Sequence, residues 1–412
     1  MTAHQLLLLI VCILVADFLF DNFLSWLNLK TWDKPLPEPV ADLYDTEKYR
    51  KAAAYARVNF RFSLISTGFT LAISLLFLLC GGYAWLDEVA RNISSHQILH
   101  TLIFFGIYSL AASLIALPFE WYNTFVIEEK YGFNRTTLRT FISDKLKGIV
   151  LGALIAGPLL ALLTWLFYRL GDNFWLAGWG VSAVFSIFMA MLYTSVWLPL
   201  FNKLTPLENG DLRKNIEEYA SKVKFPVTNI FVMDGSKRTS KANAFFSGLG
   251  PKKDIVLFDT LINNMNKEEI VAVLAHEVGH YKHRHILQSM LISIAQMGIL
   301  FFLFGKLSSS DLLAHAMGAS QINFHLAIIA FLFLYTPVSR FIGVLFNLFS
   351  RKNEYEADAY AGRTYSAAPL ISALKKLHVD QLSNLQPHPV YVWVNYSHPT
   401  LLQRIQALTN VR

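Results

Sequence analysis

Apolar residues in this chain come as long unbroken runs rather than as stripes recurring every third or fourth position. A hydrocarbon core about 30 Å thick takes roughly 20 residues of helix at 1.5 Å each. Seven runs reach that length: 6 to 27, 62 to 86, 98 to 119, 149 to 168, 174 to 201, 286 to 305 and 324 to 348. The pattern predicts a mainly α, polytopic membrane protein. The first run sits where a secretory signal would, but Met1 to Gln5 carries no Lys or Arg, the run is too long, and no small-residue cleavage site follows. It is read as a span.

The polar segments between runs set an orientation. Residues 29 to 61 hold Lys30, Lys34, Lys48, Arg50, Lys51, Arg57 and Arg61, and 120 to 148 hold Lys130, Arg135, Arg139, Lys145 and Lys147. The alternate connections carry only Arg91, Arg169 and Lys306. The positive-inside rule therefore puts the basic loops and the C-terminus in the cytosol and the N-terminus outside. The expected division is 1–201 as five spans with their loops, 202–285 as the first part of a cytosolic domain, 286–348 as two further spans, and 349–412 as the second part.

Composition agrees. Of 412 residues, 54% are hydrophobic and only 16% charged, with mean hydropathy +0.39, against roughly 25% charged in an average globular chain. A secreted disulfide scaffold, a disordered tail protein and a soluble nucleic-acid binder are excluded. The net charge of +7 is then mostly the topology signal, and no nucleic-acid partner is expected. Cys12 and Cys80 fall inside runs and are expected to be small buried apolar residues. Asp17 and Asp21 in the first run and Arg340 in the seventh fit either a polar space among the helices or helix ends that snorkel to headgroups.

Chemistry concentrates in Ala275-His276-Glu277-Val278-Gly279-His280. Two histidines four apart on a helix project from one face and can share a Zn²⁺. Glu277 lies beside them, free to act as a base toward water that the metal acidifies. A helix is favoured here, because Lys267, Glu268 and Glu269 make a polar start and no Pro interrupts. Catalytic zinc needs a third protein ligand and an open fourth position. His283 and Ile286 stand where a metzincin would continue with Gly and His, so the third ligand comes from elsewhere. In Asn353-Glu354-Tyr355-Glu356-Ala357-Asp358, Glu354 and Asp358 share a helix face while Glu356 points away. Glu354 is assigned as ligand and Asp358 as the acceptor that orients a histidine ring, although a solvated acidic face explains the pattern as well.

Asn243-Ala244-Phe245-Phe246 and Ile255-Val256-Leu257-Phe258 flank the Gly-, Pro- and Lys-rich segment Ser247 to Asp254, which reads as a β-hairpin. Its edge suits an added substrate strand, with Asn243 as a donor to the substrate backbone; a purely structural hairpin fits equally. His398, in Ser397-His398-Pro399, and Arg404 are candidates for stabilising or orienting an oxyanion, and by pattern alone they read as surface residues.

The chain resembles the type 1 CAAX prenyl proteases, integral membrane zinc metalloproteases of gluzincin type. The resemblance extends beyond the zinc motif to Phe125-Val126-Ile127-Glu128-Glu129-Lys130-Tyr131-Gly132-Phe133-Asn134, Pro199 to Leu207, Gly235-Ser236-Lys237-Arg238, Ile255 to Thr260 and Ser397 to Arg404. It implies seven transmembrane helices enclosing a water-filled chamber, with a cytosolic zinc protease domain containing a small sheet. It implies one Zn²⁺ per chain held by His276, His280 and Glu354, Glu277 as the catalytic glutamate, and Asn243, His398 and Arg404 in the substrate groove. The implied partners are membrane lipid and a peptide or protein substrate prenylated at a C-terminal CAAX cysteine, and a monomer is expected. The short connection between Leu257-Phe258-Asp259-Thr260 and the zinc helix, and the absence of an endoplasmic-reticulum retrieval signal at Val411-Arg412, fit a compact bacterial inner-membrane homologue. Two alternatives remain: a quality-control zinc protease of broad specificity, and a non-catalytic membrane chaperone with structural zinc.

Overall fold

A computed structural model describes residues 1–247, 253–308, 311–319, 321 and 323–411. The apolar runs fold into Ala3–Leu29 (α1), Thr46–Leu79 (α2), Gln97–Tyr122 (α4), Leu138–Leu170 (α5) and Phe174–Met191 (α6), with the short amphipathic Gly82–Ile93 (α3) between the second and third. A soluble segment follows: Leu204–Pro206 (β1), Asp211–Lys222 (α7), Asn229–Met233 (β2), Ala244–Ser247 (β3), Asp254–Phe258 (β4) and Lys267–Lys282 (α8). His285–Ser308 (α9) and Phe324–Thr364 (α10) return through the apolar layer, and Ala367–Asp380 (α11) and Leu401–Thr409 (α12) end the fold.

Among the described residues six helical stretches are long and apolar enough to cross a membrane. The expected fourth and fifth runs share one of them, Leu138–Met191, where a 3-10 turn at Gly171–Asn173 separates α5 from α6. These two helices pack on each other, so the chain reverses at the turn. Gly171, at φ +52°, supplies backbone that other residues take up at a cost. The seventh run does not stop at 348: it lies in α10, a helix 41 residues long that runs on to Thr364 and carries the Glu354 segment with it.

Burial is concentrated at the two ends of the molecule. Between Ala53 and Leu78 no residue of α2 is buried, nor is any residue of α10 between Tyr335 and Asn353. At 1.5 Å per residue the bare length of α2 is about 37 Å. One end is closed by aromatic and aliphatic packing of Leu86, Phe104, Leu326 and Ala330, with Phe174, Phe304 and Phe324 alongside. At the other end the core is the soluble domain, which takes in Trp32 and Tyr44 from the loop leading into α2, Ala52 from the start of α2, and Tyr131 and Phe133 from the segment after α4. Held at both ends, the helices surround open space rather than a packed core. One cavity there has a volume of about 520 Å³ and is lined by Asp17, Gln296, Thr336, Ser339, Arg340 and Asn347.

Arg340 joins the charged residues of the first and seventh runs. Its guanidinium donates to Asp17 Oδ1 at 2.5 Å and to Asp21 Oδ1 at 2.6 Å, tying α10 to α1. The charges thus answer one another across the bundle, as intramembrane ions must. Cys12 and Cys80 do not fit the expectation of burial. Both are exposed on the protein's apolar surface, because the helices have so little protein to bury them against.

The four strands form one sheet in the order β1-β2-β4-β3, with β2 and β4 parallel and the outer pairs antiparallel. The expected pairing of Ala244–Phe246 with Ile255–Leu257 is present, Ala244 opposite Leu257 and Phe246 opposite Ile255. It is one side of a larger sheet, and β3 lies at its edge. The centre of the expected turn, 248–252, lies outside the described residues.

Candidate active site

Helix α8 begins with a reciprocal cap. The Asn266 side chain accepts from the Glu269 N–H at 2.8 Å, and the Asn266 N–H donates to Glu269 Oε2 at 2.9 Å. Glu269 also accepts from Ser372 (2.6 Å) and Lys376 (2.7 Å), which fastens the helix start to α11. Ile270, Val271, Leu274, Ala275 and Val278 are buried, so the helix is a central strut of the domain. A Cβ built on Gly279 would stand 2.9 Å from the Ala357 backbone of α10. Glycine is what lets the two helices approach closely enough for their side chains to meet.

They meet at the expected residues. His276 Nε2 and His280 Nε2 are 3.1 Å apart, and they lie 3.5 Å and 3.2 Å from Glu354 Oε2 and Oε1. The outer ring nitrogens are engaged elsewhere: His276 Nδ1 is 2.9 Å from Asp358 Oδ1, and His280 Nδ1 is 2.9 Å from His285 Nδ1. Each ring therefore turns Nε2 inward. Glu354 Oε2 is buried without a hydrogen-bond partner, an arrangement that costs free energy unless something positive completes it. Two imidazoles and a carboxylate are a donor set that Zn²⁺ accepts, so the residues fit a metal.

Arg404, expected in the groove, is buried. Its Nε and Nη2 donate to the two Asp358 oxygens at 2.8 and 2.6 Å, Nη2 is 3.4 Å from His276 Nδ1, and Nη1 is 3.6 Å from Glu354 Oε2. His398 is exposed, with Nε2 3.4 Å from Glu354 Oε1 and Nδ1 2.9 Å from Ser397 Oγ. Burial would lower the His276 pKa, but hydrogen bonds to Asp358 and Glu354 outweigh it and hold the metal-free ring up at about 9. Burial pushes the Glu277 carboxyl above its ordinary value, opposed in part by the two histidines. Partial desolvation at the cavity wall pushes the His398 ring down, so that ring is neutral more readily than a free imidazole. A cavity of about 780 Å³ connects Asn243, His276, Glu277, Glu354, His398 and Arg404. The Asn243 carbonyl accepts from the Phe258 N–H at 3.1 Å and its exposed side chain accepts from the Ala244 N–H at 2.9 Å, which places the edge strand on the cavity that His276, His280 and Glu354 also line.

Comparison with known proteins places this arrangement. The N-terminal domain of CAAX prenyl proteases, described as five membrane helices, matches residues 25–203, and peptidase family M48 matches 206–412. The chain belongs to peptidase family M48. Among curated members, this M48 peptidase is 37% identical to the probable CAAX prenyl protease 1 of Schizosaccharomyces pombe, over 91% of this chain and 82% of that protein. It is 33% identical to CAAX prenyl protease 1 of Saccharomyces cerevisiae over 96% and 94% of the two chains. The crystal structure of S. mikatae Ste24p superposes with a TM-score of 0.92 at 34% identity, covering 98% of each chain. The protein is thus a multi-pass integral membrane metalloprotease of the CAAX prenyl protease 1 type.

Two features of this M48 peptidase were not legible in the motif. Glu356, expected to point away, lies 3.1 Å from His285 Nε2 and so ends a relay Glu356–His285–His280 behind the second histidine. Residues two apart on a helix diverge, and the partner lies on α9, whose register against α10 no local pattern encodes. At the opposite end of the molecule, Asp87, His100 and His325 form another buried cluster. Its hydrogen bonds are closed internally. His325 Nε2 is 2.7 Å from Asp87 Oδ1, Arg91 holds Oδ2 at 2.9 Å, and His100 Nε2 is 3.0 Å from the Asp87 carbonyl.

Proposed function

We propose that the protein is a zinc endopeptidase that removes the C-terminal tripeptide of prenylated CAAX substrates, with one Zn²⁺ per chain held by His276, His280 and Glu354. The observation that supports it most is the convergence of both Nε2 atoms on the buried Glu354 carboxylate, one of whose oxygens has no hydrogen bond, in a cavity shared with Glu277 and an open sheet edge. The substrate class follows the relatives' names. Bound there, Zn²⁺ would polarise the scissile carbonyl and acidify water. The chain's own residues do the rest. A substrate strand adds to the outer edge of β3, where Asn243 meets its backbone. Glu277, its carboxyl raised by burial, takes a proton from the attacking water and delivers it to the departing nitrogen. His398, neutral and exposed at the cavity wall, donates to the developing oxyanion. Asp358, itself held by Arg404, fixes the His276 ring.

Orientation is part of the proposal. Loop charge supports an outer N-terminus and a cytosolic protease domain, and counting α5 and α6 as separate spans gives seven. The brevity of the connection from β4 to α8 supports a bacterial inner membrane over the endoplasmic reticulum, and a monomer completes the description. The deciding experiment compares cleavage of a farnesylated CAAX peptide, its unprenylated twin and an unrelated unfolded protein, each with Glu277→Ala and with chelator as controls. Cleavage confined to the farnesylated peptide is expected. Equal cutting of the unrelated chain would replace this function with a broad membrane quality-control protease.

A further inference from the structure

A protease that releases a tripeptide has a ruler built into its substrate. The free carboxylate lies three extended residues, about 10 Å, beyond the scissile bond. Burying that end of the substrate without a cation would leave a charge unpaired. Among the described residues lining the catalytic cavity, only Lys241 and Arg404 carry a fixed positive charge. Arg404 is committed to Asp358 through two hydrogen bonds and is buried behind His276. Lys241 is not so committed. Its carbonyl accepts from Thr260 Oγ1 at 3.1 Å, as the Asn243 carbonyl accepts from Phe258 N–H, so residues 241 to 243 prolong the line of β3 along β4. Two residues of extended chain put Lys241 about 7 Å along the edge from Asn243.

We infer that Lys241 is the anchor for the substrate's C-terminal carboxylate, an assignment that rests on the tripeptide-removal function proposed above. Its ammonium sits 4.4 Å from the centre of the Phe133 ring and 3.2 Å from Glu128 Oε2. The other Glu128 oxygen accepts from the Tyr55 hydroxyl. An ammonium has three donors, and the hydrogen bond to Glu128 uses one. Glu128 and Phe133 thus hold the cation beside the cavity that Lys241 lines, with donors left for a carboxylate arriving along the sheet edge. Glu128 also sets a limit on the length of the substrate, because a chain continuing past the third residue would bring neutral backbone to a charged pair.

The test uses the full-length protein in detergent and two farnesylated peptides that differ only in ending as a free acid or as an amide. The wild type is expected to favour the acid by about tenfold in kcat/KM, carried mainly by KM, the size expected for one charge-assisted contact at a half-exposed site. Lys241→Met should bring the ratio of acid to amide to about one, and Lys241→Arg should keep it. Glu128→Gln, which leaves the cation without its resident partner, should widen it. A ratio cancels any loss of folded protein. Equal rates for acid and amide in the wild type, or an undiminished ratio in Lys241→Met, would overturn the assignment while leaving prenyl-peptide cleavage intact. Failure to cut either peptide would remove that activity and the anchor with it.

Discussion

Metal uptake by this site should release a proton that belongs to His276. The metal-free ring titrates at about 9, against an ordinary 6.5, because its Nδ1 faces Asp358 and its Nε2 faces Glu354. At pH 7, two units lower, about 99% of such rings are protonated, and a metal needs the lone pair that the proton occupies. Displacing it costs on the order of a few kcal/mol. The sign follows from the raised pKa. Protonation stabilises the metal-free fold fully below pH 6.5, and that contribution is lost as pH rises through 9. Metal affinity runs the other way, climbing about tenfold per unit from pH 7 to 9 and levelling above. The measurement is calorimetric titration of stripped protein with Zn²⁺ at pH 7, in two buffers of different ionisation heat, for wild type and Asp358→Asn. Asp358→Asn removes the charge that raises the ring and leaves Arg404, which lowers it. The wild type should release a larger fraction of a proton than the variant, in which Glu354 alone still raises the ring, while any proton lost from coordinated water is common to both. Equal counts would refute the idea that Asp358 keeps the metal-free His276 ring protonated.

Three further outcomes follow from the same geometry. Glu277→Gln should keep its zinc by elemental analysis and lose roughly 10²- to 10⁴-fold in turnover, whereas Glu354→Ala should lose the metal itself; full zinc in the latter removes Glu354 from the ligand set. Gly279→Ala puts a methyl group 2.9 Å from the Ala357 backbone, so thermal unfolding should show a loss of about 1–3 kcal/mol, with weaker metal binding as α8 and α10 part. His285→Ala releases His280 Nδ1 from the Glu356 relay, and competition with a chelator should show metal affinity about 10- to 100-fold lower.

Much of this was legible because the decisive patterns are local. Runs of 20 apolar residues announce spans whatever surrounds them, and His276 and His280 share a face through helix geometry alone. The Asn243 to Phe258 pairing was visible for the same reason, as two short apolar segments flank turn-forming residues. What escaped depends on separation in sequence. Strands β1 and β2 are three and five residues long; β1 meets β2 only across the intervening α7 and β2 meets β4 only through a crossover, so neither had a local partner to announce it. The buried setting of Arg404 arises from α12 packing against α10 and α11, whereas its own segment reads as polar surface. Cys12 and Cys80 were misjudged because apolar sequence normally means burial, and here the helices stand apart.

That openness explains how one helix serves two environments. α10 is a continuous rod, and from Arg340, paired with Asp17 and Asp21, to Glu354 is 14 residues, about 21 Å. No residue of α10 is buried between Tyr335 and Asn353, so side-chain packing does little to hold this stretch in place along its length. Its position is set at its ends, by the Arg340 bridge, and by Asn347 and Arg351, which donate to backbone carbonyls at Val394 and Val392. Glu354 must nevertheless meet two rings on α8 to within a few tenths of an ångström. The close fit of Gly279 against Ala357 and the Asp358–Arg404 pair make the lower end a rigid joint, where a sliding α10 would break buried ionic contacts. Breaking such contacts costs about 3–5 kcal/mol when one partner is left alone. The metal residues and the open interior are therefore parts of one mechanical arrangement. The chamber can stay empty of packing because the catalytic end carries the constraint.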